Sequence, residues 1–188
     1  MSTKDKNENT TTLTDRKVRL GYALAEHFYE VVPLKYQTYC ALTSSILKNV
    51  LHLFGIKAEL VPCQVWCVSH ESNFVVGFLD VAPKLHKWNG HVVCDAGDFI
   101  IDAAIKHFDI EFGLTVPAIV RSRKFLVPTQ VISRHNLNER LQLWWHHPPE
   151  GVDVTIPNEP SELITKYATQ LVERLSEGCN IPSDALTH

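Results

Sequence analysis

Three residues have the side chains that nucleophilic thiol catalysis requires. Cys40 stands where a segment with helical apolar spacing begins, His91 opens a predicted strand, and Asp102 closes the next one. The unpaired N–H groups and the macrodipole of a helix N-terminus stabilise a thiolate, whereas a core cysteine can stand anywhere on a buried face. A thiol enzyme also needs a histidine that holds and returns a proton, and a group that orients the histidine. The three residues therefore predict a Cys-His-Asp triad.

The segment GHVVCDAGDFIIDAA predicts the hairpin that would bring the histidine and the aspartate together. Two apolar runs flank the turn DAGD, in which Gly97 tolerates the positive φ of a tight turn. With the turn centred on Ala96 and Gly97, His91 faces Asp102 across the two strands, where Cβ atoms are about 5 Å apart. This register predicts that the carboxylate lies beside the imidazole ring.

Each of these residues also has an ordinary structural interpretation. A cysteine in an apolar helix is usually a core residue, and a histidine at a strand end is usually a surface residue. Asp102 could instead cap a short helix over Ala103–Phe108. The residues alone leave these alternatives open.

A second group of cysteines and histidines has the composition of a metal site. Its members are Cys63, Cys67, His70, His86, His91 and Cys94. Structural zinc sites usually place two ligands on a tight C-x2-C knuckle, and an extended strand cannot wrap around a metal. We therefore predict no metal. The sequence also has no glycine-rich phosphate loop or dinucleotide fingerprint, so we predict no other cofactor.

The helices that position the candidate residues follow from apolar spacing and end signals. They are predicted to run from a cap at Thr14 or Asp15 to Pro33, from about Thr38 to Phe54, and from a cap at Asn158 to Gly178.

Segments rich in β-branched and aromatic residues lie between the second and the last helix. KAELVPCQVWCVSH, NFVVGFLDV and the hairpin predict strands, and further strands are expected around Ala118 to Val120 and Leu141 to Trp145. Helices followed by an antiparallel sheet and a final helix predict an α+β fold.

The composition limits the class of protein. A chain of 188 residues with a formal net charge of −3 predicts one domain, over 14–188, without a phosphate-binding surface for nucleic acid. Residues 1–13 are polar and are predicted to be a disordered tail. No apolar run approaches the about 20 residues that cross a bilayer, and the N-terminus has no signal-peptide core. Five cysteines without a secretory signal favour reduced thiols in the cytoplasm.

The motifs, in this order, resemble the transglutaminase-like superfamily of papain-like thiol enzymes. The shared features are a cysteine at a helix start, the segment FGIKAELV that leads from the helix into the sheet, and HVVCDAGDFIIDAA with its histidine, turn and aspartate. The resemblance spans about Gln37 to Ala104. It implies a papain-like α+β fold in which the nucleophile helix packs on an antiparallel sheet.

The resemblance also implies roles for the three residues. Cys40 is then the nucleophile, His91 the general base and acid, and Asp102 the orienter of the histidine. Such an enzyme cleaves or transfers an amide-linked acyl group through a cysteine thioester, with a peptide or another amide as its partner. The alternative is a catalytically inactive domain that binds a protein or peptide in the same cleft.

Acyl transfer further requires an oxyanion hole. The N–H group of Cys40 is one predicted donor, and the side-chain amide of Gln37 is the other. Trp88 and Asn89, next to His91, are predicted to shape the pocket wall. Gln37 could equally be an ordinary loop residue, and Trp88 could pack over the sheet edge.

Overall fold

The computed structural model describes residues 3–79, 88–127 and 129–179, and the side chains of 17–79, 88–127 and 129–177. The described helices are α1 (Thr3–Val31), α2 (Cys40–Leu53), α3 (His107–Phe112) and α4 (Ser161–Cys179). The described strands are β1 (Glu59–Ser69), β2 (Asn73–Val76), β3 (His91–Asp95), β4 (Phe99–Asp102), β5 (Val120–Arg123), β6 (Val131–Asn136) and β7 (Leu141–His146). None of the described helices has the length and apolar content that crossing a bilayer needs.

The strands form one antiparallel sheet in the order β5-β4-β3-β1-β7-β6, with β2 paired to β1 off this path. The long strand β1 holds the sheet together, because its first half pairs with β3 and its second half pairs with both β7 and β2. Helices and an antiparallel sheet in one chain confirm the predicted α+β class.

The two end strands of the sheet approach each other. Lys124, directly after β5, forms a bridge with Ser133 of β6, and Phe125 N donates to the Ile132 carbonyl at 3.0 Å. The buried Ser133 hydroxyl donates to the Ser122 hydroxyl at 2.6 Å and so links β6 to β5. The sheet therefore curves until its ends meet.

Two hydrophobic cores lie on the two faces of the sheet. Helices α1, α2 and α4 cover one face, and the apolar positions at helical spacing fill that core, including Leu24, Phe28, Ile46 and Leu171. The opposite face encloses a second core with α3, which includes Val65, Val93, Phe108 and Trp145. β3 and β4 alternate side chains between the two cores, as strand geometry requires.

The first helix differs from its prediction. The sequence predicts a disordered tail over 1–13, but α1 begins at Thr3. Extending an existing helix adds one hydrogen bond for each residue that is fixed and needs no new nucleus. The apolar segment of α1 therefore acts as a nucleus, and the helix extends from it toward the N-terminus as far as Thr3.

The last helix begins later than its predicted cap at Asn158. It starts at Ser161, and the carbonyl of Pro160 accepts from the N–H groups of Leu163 and Ile164 at 3.1 and 3.2 Å. A proline disfavours helical geometry in the residue before it, which keeps Glu159 out of the helix.

Candidate active site

Cys40 is the first residue of α2, as the sequence predicts. A short 3₁₀ turn, Leu34–Tyr36, precedes the helix, and the first helical hydrogen bond runs from Thr43 N to the Tyr39 carbonyl at 3.0 Å. The N–H groups of the first turn of a helix have no acceptor within it. Cys40 is 7% exposed and lies at this polar end of the helix. Its thiol donates to the Gly90 carbonyl at 3.8 Å.

The β3–β4 hairpin has a different register from the predicted one. Ala96 N donates to the Phe99 carbonyl at 2.9 Å, so the loop is Gly97-Asp98 and not Ala96-Gly97. Gly97 takes the first loop position with φ +92, a conformation that L side chains rarely adopt, which fixes the turn one residue later. This correction shifts strand pairing by two residues, and an even shift keeps each side chain on its face.

His91 and Asp102 meet despite the shifted register, because both remain on the same face of the sheet. His91 Nε2 lies 2.8 Å from Asp102 Oδ2, and both side chains are almost completely buried. The predicted contact is therefore present, although the two residues are diagonal neighbours and not direct partners.

The Asp102 carboxylate is held by further donors. Trp145 Nε1 donates to Oδ2 at 2.8 Å, and Ala104 N donates to Oδ1 at 3.0 Å. Burial alone would raise the pKa of Asp102, but the charge and hydrogen bond of His91, with these two donors, hold that pKa below its usual range. Asp102 caps the turn at Ala104 rather than a helix over Ala103–Phe108, since α3 begins at His107.

His91 has one nitrogen engaged and one open. Nε2 faces Asp102, and Nδ1 is buried without a hydrogen-bond partner among the described residues. Burial alone would lower the pKa of His91, but the charge of Asp102, its hydrogen bond and the adjacent Cys40 together raise it. The ring is therefore disposed to carry a proton beside the thiol.

Trp145 is the site residue that sequence reasoning missed. The sequence predicts a strand around Leu141 to Trp145 without a role for the indole, yet Trp145 is fully buried and its N–H group reaches Asp102. The strand LQLWWH alternates between half-buried and buried positions, so Trp144 and Trp145 lie on opposite faces. A buried tryptophan usually finds a partner for its N–H group, which is the signal that could have indicated this role.

Two glycines allow close packing at the site, one against His91 and one against Trp88. Gly77 has φ +89, and a Cβ atom there would lie 2.7 Å from His91 Cβ and 2.8 Å from His91 N. A Cβ atom on Gly90 would lie 2.2 Å from the ring of Trp88. Neither position accepts a side chain without displacing its neighbour.

The predicted pocket residues have different surroundings. Trp88 packs against the small cluster of Cys40, Ala41, Val92 and Ala104 and makes an edge contact with Phe78, so it lies at the site. Asn89 donates from Nδ2 to the Leu79 carbonyl at 2.7 Å, and its own carbonyl accepts from Phe78 N. Asn89 therefore joins the two ends of the segment between β2 and β3.

Gln37 lies at the end of the 3₁₀ turn and is half-buried, and its main-chain N–H donates to Leu34. Its role as an oxyanion donor stays a prediction. His107, at the start of α3, contacts the same loop, with Nε2 3.0 Å from the Thr38 carbonyl. Burial is the main cause that lowers the pKa of His107, and the positive charge of His91 lowers it further.

One hydrogen bond fixes the nucleophile helix to the histidine strand. Ser44, one turn after Cys40, donates to the carbonyl of Val92 at 2.9 Å. Since Val92 follows His91, this bond restrains the two halves of the site relative to each other.

Three other cysteines have described side chains, and one of them, Cys63, is the direct strand partner of His91. Cys63, Cys67 and Cys94 are completely buried, and burial raises the pKa of each thiol. Within the part of the chain that the structure describes, no three histidine, cysteine or acidic residues are grouped as metal ligands. His86 lies outside the described residues.

Comparison of the chain with protein-family models, curated proteins and solved structures found no match.

Proposed function

We propose that this chain is a thiol enzyme of the transglutaminase-like, papain-like type. It would cleave or transfer an amide-linked acyl group through a thioester on Cys40. The observation that carries the proposal is the buried His91, which has Asp102 on Nε2, an open Nδ1, and the thiol of a helix-initial cysteine beside it. The large majority of buried side-chain nitrogens have a hydrogen-bond partner, so an open nitrogen beside a thiol favours a chemical role over a structural one.

The proposed reaction begins with transfer of the Cys40 proton to His91 Nδ1. The thiolate then attacks the amide carbonyl, and a carbon–sulphur bond forms as the carbonyl becomes an oxyanion. His91 returns its proton to the nitrogen of the leaving amine as the carbon–nitrogen bond breaks, which leaves a thioester. Water or a second amine then gives a proton to His91, attacks the thioester and releases Cys40.

The surroundings of His91 favour the first step. The hydrogen bond to Asp102 fixes the ring and stabilises its protonated form, as the raised pKa of His91 indicates. The open N–H groups at the start of α2 are suited to receive the oxyanion, with Gln37 as the proposed second donor. We propose a peptide or another amide as the substrate.

A second candidate function is a domain that binds a protein or peptide without catalysis. Burial favours it, because Cys40 is 7% exposed and His91 1% exposed, and the thiol donates to the Gly90 carbonyl. A substrate would have to displace neighbouring side chains to reach the sulphur.

Labelling with an electrophilic acyl probe separates the two functions. We expect iodoacetamide or an acyl probe near pH 6 to modify Cys40 ahead of Cys63, Cys67 and Cys94, whose pKa values burial raises. His91→Ala should slow the modification of Cys40, and Asp102→Ala should slow it less.

The matched control is Cys67→Ser, which should leave the labelling of Cys40 unchanged. Mapping of the modified residue by mass spectrometry gives the readout. If His91→Ala leaves the rate at Cys40 unchanged, the thiol is structural and the enzyme proposal is wrong.

A further inference from the structure

A cavity of about 300 Å³ lies between α1 and the outer end of the β4–β5 pair. We call it the anion pocket, and its lining residues are Lys17, Val18, Asp98, Phe99, Arg121 and Arg123. None of them belongs to the candidate active site. Three of the six side chains are cationic and one is anionic, so the lining carries a formal charge of about +2 at neutral pH.

The single carboxylate of the anion pocket does not neutralise its three cationic side chains. Asp98 lies 3.9 Å from Lys17, which is a loose ion pair. Among the described side chains, Arg121 and Arg123 have no carboxylate partner. Unpaired guanidinium groups that share a concave surface raise the local positive potential and attract an anion.

Arg121 is held in place by aromatic rings. Its guanidinium carbon lies 4.6 Å from the ring centroid of Tyr22 and 5.1 Å from that of Phe99. Stacking on ring faces restrains the planar guanidinium and leaves the N–H groups at its rim for an acceptor. The pocket therefore has a donor whose orientation is largely set before a ligand arrives.

Gly21 gives the stem of Arg121 its path across α1. A Cβ atom at this position would lie 2.6 Å from Arg121 Cδ. Glycine within a helix is unfavourable relative to alanine, because it loses more backbone freedom on folding. Gly21 therefore weakens α1 but leaves the space that the Arg121 side chain occupies beside the pocket.

We propose that the anion pocket binds a small phosphomonoester. The phosphate of such an ester carries nearly two negative charges at neutral pH, which matches the formal charge of the lining. Guanidinium groups pair with phosphate oxygens through two parallel N–H bonds. The cavity has the size of a small ligand site and has apolar wall at Val18 and Phe99, which leaves room for the organic part of the ester.

The same chemistry has two sources, a free phosphorylated small molecule or a phosphorylated side chain of a protein. Glycerol phosphate and a short phosphoserine peptide are the probes for these two sources. This proposal does not rest on the proposed enzyme activity, and its test does not involve Cys40.

Calorimetric titration of the full chain with each probe, at matched ionic strength, tests the proposal. We expect Arg121→Gln and Arg123→Gln each to weaken binding at least tenfold. Arg174→Gln is the control, because Arg174 is an exposed arginine of α4 that pairs with Glu30 near the other end of α1 and does not line the pocket. Its effect should be less than twofold, and glycerol without phosphate should not bind.

Gly21→Ala gives an independent test that keeps every charge. The new methyl group should displace Arg121 and weaken binding of the preferred probe severalfold. Tighter binding of glycerol phosphate would identify the small-molecule source, and tighter binding of the peptide would identify the protein source. The proposal is wrong if neither probe binds, or if Arg174→Gln weakens binding as much as Arg121→Gln and Arg123→Gln do.

Discussion

Trp144 and Trp145 are neighbours in the sequence but have different partners. Trp145 donates to the buried carboxylate of Asp102 at 2.8 Å, whereas Trp144 donates to Gln142 at 3.0 Å in a half-buried position. We predict that Trp145→Phe lowers the free energy of unfolding by about 1–3 kcal/mol, because a buried charged acceptor loses a donor. Trp144→Phe should cost less than about 1 kcal/mol.

Urea unfolding of the two variants, followed by circular dichroism, measures this difference. Both substitutions remove an indole N–H group and part of the ring, and because Trp145 is fully buried and Trp144 half-buried, the expected difference combines the lost bond with additional lost packing. Equal losses in the two variants would show that the bond from Trp145 to Asp102 contributes nothing beyond packing.

The ion pair of His91 and Asp102 predicts how stability depends on pH. The pKa of Asp102 is lowered in the folded protein, so its contribution is present above its ordinary value of about 4 and is lost as the pH falls through the lowered value. The pKa of His91 is raised, so its contribution is present below about 6.5 and is lost as the pH rises through the raised value.

Asp102→Asn should therefore cost most between about pH 4 and 6.5, where both contributions are complete, by about 3–5 kcal/mol, since it leaves a buried imidazole without its charged partner. The cost should shrink as the pH falls below about 4, because the carboxylate is then protonated in the unfolded chain and, below its lowered pKa, in the folded protein as well. Urea unfolding at pH 7, 5 and 3 gives the comparison. A cost that stays constant over this range would rule out a charged pair in the folded protein.

At the residue scale, the sequence indicates which side chains meet only where a local rule applies. The helix start at Cys40 follows from apolar spacing, and the pairing of His91 with Asp102 follows from strand alternation. Trp145 comes from a strand distant in sequence, and no local pattern states which buried carboxylate its indole will reach. The bond from His107 to the Thr38 carbonyl is missed for the same reason.

At the scale of elements, the chain directly after β2 can pass close to His91 only because residue 77 is a glycine. It has φ +89, and an added Cβ atom would lie 2.7 Å from His91 Cβ. Gly113, which ends α3, has φ +67 with no neighbour within 4 Å of such an atom. Gly113→Ala should therefore cost only the backbone strain of about 1–2 kcal/mol.

Gly77→Ala should cost more than Gly113→Ala and should also displace His91. We expect the labelling rate of Cys40 to fall in Gly77→Ala and to stay at the wild-type value in Gly113→Ala. Urea unfolding and iodoacetamide labelling of the same samples provide both readouts. If the two variants lose equal stability and label alike, the contact between Gly77 and the histidine has no role.

The elements also show where sequence reasoning reaches its limit. The α+β class and most of α2 and β1 follow from periodicity, but the hairpin turn is one residue later than predicted, since Gly97 selects its own loop position. β6 is absent from the prediction because a register irregularity between Val131 and Ser133 interrupts its alternation. Such features depend on the partner strand and are not encoded in one segment.

At the scale of the whole molecule, we predict that the two cores unfold together. Cys94 lies in the core under the helices and Cys67 in the core on the opposite face, and both are completely buried. β3 and β4 supply residues to both cores, so neither core can separate without breaking the same strands. The thiols of Cys67 and Cys94 should become reactive at the same urea concentration.

Pulse labelling of the chain along a urea gradient, with mass spectrometry of each cysteine peptide, tests this expectation. Cys40 serves as the internal reference, because it should react before global unfolding if its thiol is accessible to the reagent. Midpoints that differ between Cys67 and Cys94 would show two cooperative units.

The meeting of β5 and β6 has a consequence for how copies of this chain behave at high concentration. A strand at the end of a sheet offers unpaired main-chain groups to which a strand of another molecule can add, and this addition is a common first step of aggregation. Here the end strands occupy part of each other's open edge through Lys124, Ser133 and the bond from Phe125 N to Ile132. Among the described strands, the four-residue β2 lies off the main path, and short edge strands are poor templates for such addition. Loss of the hydrogen bond between Ser133 and Ser122 should therefore promote aggregation before it disturbs the candidate active site.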